Sequence, residues 1–226
     1  MSERDGNGGN AYVAYGALGA SSISLRIVDG RRLEKRFRDV LKPGGLVSDA
    51  QGQAHQLPRY FYEVPSWDAA MTTQLSEHFA LWEFIHTDVH EAEPQRTFPR
   101  YVPCAITLLA LGLEQFRDAV NAFVHIAANG GYRSPCHALS VHATPHAWGA
   151  AVNVYKIGDT LLDERDVLEH YAELAYKAMP GVYVRPFGNK PGYTDDHLHL
   201  DFGYVIAVPR GAPFETYNPK LDVEPL

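Results

Sequence analysis

Cysteine is nearly missing from this chain: among 226 residues there are two, Cys104 and Cys136. Neither belongs to a C-x-x-C pair, which excludes a cysteine-built zinc site. They read as two buried thiols, with a single disulfide as the alternative. A basic surplus is missing too. Twenty Lys and Arg stand against 27 Asp and Glu, a formal charge of −7. Nucleic-acid binders show a basic surplus or stripe, so that class is disfavoured. An anionic membrane or wall surface is not favoured either, local basic patches aside. No apolar run approaches eighteen residues, which excludes a membrane-spanning helix. The first ten residues lack the basic-then-apolar order of a signal peptide. The expected location is therefore cytoplasmic, with release by lysis or non-classical export as the other routes. What remains is an ordinary globular composition, 46% hydrophobic and 21% charged. A chain of this size can bury a core without disulfides or a structural metal, so any metal here serves chemistry.

The first ten residues are polar and Gly-rich. Strand-like runs follow at 11–17 and 22–28, then a basic helix over 31–41 that stops before Pro43-Gly44-Gly45. Residues 43–66 are rich in turn formers and end in the aromatic patch Tyr60-Phe61-Tyr62. No known motif lies in residues 1–75, which read as a small β-rich N-terminal appendage of unknown role. From 76 onward the pattern firms. Ser76 is placed to cap a short helix containing Phe79, Leu81, Trp82 and Phe84. Apolar positions Ile106, Leu109, Leu113, Phe116 and Val120 predict a helix over 103–121. Strands are expected at 123–128, 149–157, 182–185 and 197–208, and an amphipathic helix over 163–178 ended by Pro180-Gly181. There is no internal repeat. The closing strands read as loop-joined neighbours, so the expected class is α+β, an antiparallel sheet flanked by helices.

Seven of the eleven histidines fall between 125 and 199, and three segments in that stretch matter. The first is 129–137, Asn-Gly-Gly-Tyr-Arg-Ser-Pro-Cys-His. The second runs from His142 through Thr144-Pro145-His146 and Gly149-Ala-Ala151 to Asn153. The third is Asp195-Asp196-His197-Leu-His199-Leu-Asp201. On a strand alternate side chains share a face, which would point His197, His199 and Asp201 the same way. Imidazole is the commonest metal ligand, and carboxylates orient or complement it. A solvated edge strand with incidental histidines is the plain alternative. His142 and His146 have the i, i+4 spacing of a helical metal pair, but Pro145 argues against an uninterrupted helix. For Arg133 and Asp196 taken singly, a surface salt bridge and a turn aspartate are the ordinary roles.

Together the three segments resemble the zinc D-alanyl-D-alanine carboxypeptidases, with the related D,D-dipeptidases, L-alanyl-D-glutamate endolysins and the hedgehog amino-terminal domain. That family carries Ser-Gly-Tyr-Arg-Ser, then Ser-x-His-x-x-Gly-x-Ala-x-Asp, then an acid three residues before a final His. Here the corresponding positions are Gly130-Gly131-Tyr132-Arg133-Ser134, then Thr144, His146, Gly149, Ala151 and Asn153, then Asp196, His197 and His199. The resemblance covers roughly residues 76–208 and places a metallohydrolase domain over 76–226, carboxypeptidase/hedgehog-like in fold. It implies zinc as cofactor and a short peptide or peptidoglycan fragment as substrate. It also implies His146 and His199 as metal ligands and Asp196 as the general base for a metal-bound water. Arg133 would hold a substrate carboxylate or the tetrahedral oxyanion, and His197 would sit beside the metal. A guanidinium suits that role, being always charged and presenting a planar fork of donors.

One position departs from the pattern. The family's middle ligand is Asp, and this chain has Asn153. An amide carbonyl keeps the shape and loses one negative charge, so metal affinity should fall while a bound water can stay acidic. Three outcomes follow: Asn153 or a water completes the site; His142 or His197 supplies the third ligand; or the cleft binds a peptide or wall fragment without hydrolysis. A biosynthetic enzyme reusing the site on another substrate is a further reading.

Overall fold

The computed structural model describes residues 11–14, 20–210 and 212. In chain order, β1 (Ala11–Ala14) and β2 (Ala20–Ile23) pair as a hairpin. Next come β3 (Arg26–Asp29), a 3-10 turn at Gly30–Arg32, and α1 (Lys35–Leu41). The basic helix expected over 31–41 is thus split in two. α1 stops where Lys42 turns left-handed, with φ of 46°, directly before Pro43. β4 (Leu46–Ser48) and β5 (Ala54–Gln56) form a second hairpin, followed by β6 (Tyr60–Val64).

α2 (Trp67–Thr72), α3 (Leu81–Phe84) and α4 (Glu93–Arg96) are short. Ser76 does not cap α3, as the sequence had suggested. It is buried, and its hydroxyl donates to Glu114 at 2.7 Å. α3 is closed instead by Glu83, whose carboxylate accepts from the Ala80 N–H at 2.8 Å. β7 (Arg100–Pro103) leads into α5 (Ile106–Val120), whose residues Ile106, Leu109, Leu113 and Phe116 are all buried. The apolar spacing at those four positions is what commits the segment to a core helix.

The second sheet follows: β8 (Val124–Ile126), β9 (Ala151–Ile157), β10 (Thr160–Leu161), β11 (Tyr183–Val184) and β12 (Leu198–Asp201), with α6 (Arg165–Ala178) between β10 and β11. β9 pairs with β8, β10 and β12, and β12 pairs with β11. All named strand pairs are antiparallel, which with the interspersed helices makes the class α+β.

β3, β6 and β7 form a separate three-stranded sheet. That sheet crosses the boundary expected near residue 75, because β6 and β7 lie on either side of it. One hydrophobic core joins Phe37, Phe61 and Tyr62 to Leu109, Val152 and Leu200. The last strand is shorter than expected, four residues rather than twelve. His197 therefore precedes the strand, while His199 and Asp201 lie in it. Both cysteines are free. Cys104 is buried as expected, whereas Cys136 is exposed rather than a second buried thiol. Among the described residues no helix is long and apolar enough to cross a membrane.

Candidate functional site

All four residues of β12 are buried, and two of them, His199 and Asp201, are polar. A buried polar group costs stability unless it is hydrogen-bonded, and both are. His199 lies directly opposite Asn153 of β9 in the strand register. Its Nδ1 is 2.8 Å from Asn153 Oδ1, and its Nε2 is 2.9 Å from Asp201 Oδ2. His146 arrives from another direction. It sits in a 3-10 turn, Pro145–Trp148, that ends at Gly149, whose φ of 67° lets the chain turn into β9. Its Nδ1 donates to the Gly131 carbonyl at 2.8 Å. The His146 and His199 ring centroids are 5.1 Å apart, edge to face.

These tethers decide where the ring protons sit. A carbonyl only accepts, so His146 keeps its hydrogen on Nδ1; His199 faces an oxygen at each nitrogen, and the charged Asp201 carboxylate is the stronger acceptor of the two. The His146 proton is on Nδ1, leaving the Nε2 lone pair free. On His199 the proton is on Nε2, leaving the Nδ1 lone pair facing the Asn153 amide. Burial pushes the His146 pKa well below the usual histidine range, aided by the Arg133 charge. It lowers that of His199 too, against the opposing pull of Asp201. Both rings are therefore neutral donors near pH 7, the state a metal requires. The carbonyl oxygen of Asn153 at 2.8 Å from a lone pair needs a positive atom to share, either a proton or a cation.

The loop carrying Arg133 is held from beneath. Gly130 and Gly131 lie so close to their neighbours that a Cβ on Gly131 would stand 2.1 Å from the Phe84 carbonyl oxygen. That close approach lets Asn153 N–H donate to the Gly130 carbonyl at 2.7 Å and Tyr132 N–H to the Phe84 carbonyl at 2.6 Å. Buried Glu91 accepts from the Ser134 amide at 3.0 Å and from its hydroxyl at 2.5 Å. The Arg133 Nε–H donates to the Asn129 carbonyl, and the Arg133 amide donates to the His146 carbonyl at 3.3 Å. Burial, with Arg185 nearby, brings the Arg133 pKa down to about 10, still charged at neutral pH.

The remaining expected residues are placed differently. Asp196 is largely exposed, with 78% of its side chain accessible, and its Oδ1 is 2.5 Å from His197 Nδ1. His197 does not share the strand with His199. Its Nε2 is buried without a hydrogen-bond partner among the described residues, and burial lowers its pKa. With its Nδ1–H donated to Asp196, that ring leaves its Nε2 lone pair free. His142 is exposed and lines a separate cavity of about 210 Å³ with Val47, Leu57 and Trp148. Among the described residues no hydrogen bond or ring contact joins it to either buried imidazole, and no group of three His, Cys, Asp or Glu could hold a metal ion. The third donor beside the imidazole pair is the Asn153 amide.

Two further residues belong here. Asp201 orients His199, and its place two residues on along a strand made that legible. Arg185, the residue after β11, donates its amide to the His199 carbonyl at 3.1 Å, and nothing in its own sequence context pointed to that. No protein-family profile, curated protein or solved structure matches the chain.

Proposed function

We propose that this chain is a zinc-dependent peptidase or amidase acting on a short peptide, with peptidoglycan stem peptides as the substrate class that the sequence resemblance suggests. The observation that carries the reading is the convergence of His146 and His199, 5.1 Å apart, with His146 tethered through Nδ1 and His199 set between Asp201 and the Asn153 amide. The donor set fits a small borderline cation. His146 would hold it through Nε2, His199 through Nδ1 and Asn153 through its carbonyl oxygen. A zinc ion so bound, with one position open, acidifies water and polarises a carbonyl.

The chain's own groups supply the rest. The Asp201 carboxylate and the Gly131 carbonyl keep both rings in the tautomers that leave the lone pairs inward. Arg133, desolvated and charged, provides a fork for a carboxylate or a developing oxyanion. Asp196 is the proton acceptor by this reading; its bond to His197 holds that ring's proton on Nδ1, while burial keeps the imidazole neutral with Nε2 available.

Zinc content after equilibration with excess zinc, with hydrolysis assays on D-Ala-D-Ala, L-Ala-D-Glu and simple dipeptides, tests the proposal. Stoichiometric zinc and measurable turnover are expected. No bound zinc sinks it.

A second reading has its own support: the pair has an amide where a carboxylate would serve a cation better, and two arginines stand close by. It is a non-hydrolytic domain on the same fold that binds a peptide or wall fragment. Asn153→Asp separates the two. Under the first reading the native chain already holds zinc and the substitution tightens it about tenfold or more. Under the second, zinc binding appears only in the variant.

A further inference from the structure

The cavity that His142 borders lies between two pieces of chain far apart in sequence. Lys42, Val47 and Leu57 line it from around the β4–β5 hairpin, and His142, Ala147 and Trp148 from the segment that leads into and through the 3-10 turn. None of His146, Asn153 and His199 lines it. Its volume is about 210 Å³. That is far above the roughly 10–15 Å³ one water requires and below the roughly 300 Å³ at which drug-sized pockets begin. A single ring or a short branched chain is the size of molecule it suits.

Hydrogen bonds tie the two walls together. The Ala143 amide donates to the Ser48 carbonyl at 2.9 Å, and the Trp148 indole N–H donates to the Gln56 carbonyl at 2.9 Å. The His55 ring stacks on Tyr204 at 3.5 Å and is bonded to Asp49 at 2.8 Å, which fixes the hairpin from behind. A cavity with tied walls binds without the cost of ordering them.

Leu57, Ala147 and Trp148 are buried, while Lys42 and His142 are exposed, so the interior is apolar and the rim polar. Among the described residues no acid lines the cavity, and Lys42 makes no ion pair. Lys42 also borders an open surface depression with Arg31, Lys35 and Arg38. The one acid of that depression, Asp39, is paired with Lys35 at 2.6 Å. The cavity thus adjoins a locally basic surface on a chain whose net charge is −7, and such a surface attracts anions. One unpaired ammonium complements one negative charge.

We infer that this cavity is a second binding site, for a small monocarboxylate with a compact apolar body. Hydrocarbon is covered by Leu57, Ala147 and Trp148, and the carboxylate meets Lys42 at the rim. The site does not depend on the proposed hydrolysis. Ala147 and Trp148 directly follow His146 in its turn, so a bound acid packs against the element that carries that imidazole.

Chelator-treated, full-length, nitrogen-15-labelled protein titrated with phenylacetate, phenylacetamide, acetate and inorganic phosphate tests it. The readout is the indole N–H signal of each of the three tryptophans, assigned with Trp67→Phe and Trp82→Phe. Phenylacetate is expected to shift the Trp148 signal alone, and to bind about fivefold or more tightly than each other probe, the upper worth of an exposed ion pair. In Lys42→Gln the acid and the amide should bind within about twofold of each other, whereas Lys42→Arg keeps the preference. Near-UV circular dichroism and melting temperature establish that each variant is folded. Equal affinity for phenylacetate and phenylacetamide in the native protein overturns the inference, as does a Trp148 signal that no probe moves. Phosphate binding as tightly as phenylacetate also overturns it, marking a bare anion surface. Zinc is absent throughout, so a chain that never holds zinc yet gives the expected shifts loses the proposed hydrolysis and keeps this site.

Discussion

Asp201 illustrates how much one carboxylate decides. It accepts from His199 Nε2 and from the Gly203 amide, so it holds both a ring and the turn that follows the strand. Asp201→Asn keeps the volume and removes the charge that pins the His199 proton to Nε2. The freed ring can then turn its protonated nitrogen toward Asn153 and lose the ligand role proposed for it. Zinc affinity, read by competition with a chromophoric chelator, is expected to fall 10- to 100-fold, the usual cost of losing a partner that orients a metal-bound histidine. Unchanged affinity in a folded variant would remove Asp201 from the site.

At the scale of elements, the site is a meeting of two strands, a 3-10 turn and one irregular loop. β9 and β12 give rigid register, and the loop between β8 and the turn carries Arg133. That loop has no ladder of its own and depends on close packing at Gly131 and on buried Glu91. The atom that would meet a Cβ on Gly131 is a backbone oxygen, which cannot swing aside as a side chain could. Gly131→Ala must therefore displace the loop or the end of α3. A loss of about 2–4 kcal/mol in urea unfolding is expected, the range for substitutions that force backbone movement in a packed interior. A variant as stable as the parent would show that the loop is not held at this point.

The whole molecule buries its histidine pair, and burial couples stability to pH. Both folded-state pKa values lie below the unfolded value of about 6.5. Just below pH 6.5 the unfolded chain therefore binds more protons than the folded one, and stability falls as pH falls. The loss begins near pH 6.5 and continues down to the folded values, at up to about 1.4 kcal/mol per pH unit for each ring. For a chain of this length 1 kcal/mol moves the midpoint by about 2–4 °C. Chelator-treated protein should melt several degrees lower at pH 5.5 than at pH 7.5. A flat profile would mean that the rings are not buried in their neutral form.

Much of this was legible along the chain. The spacing of Ile106, Leu109, Leu113 and Phe116 determined a core helix, because a 3.6-residue period is a local property. The order Gly130-Gly131-Tyr132-Arg133, then His146, then His199, marked three segments worth joining, and Gly149 and Pro145 marked the turn between them. Other features depended on what lies across space. The strand register alone decided that Asn153 faces His199, 46 residues away, and that Arg185 lies across from it, because local sequence does not say which strands become neighbours. The same holds for Ser76, which its local context offered as a helix cap and which Glu114 claimed from another helix. Local periodicity and turn chemistry can be read residue by residue, whereas a proton's position on a buried ring is set by whichever oxygen the fold brings to it.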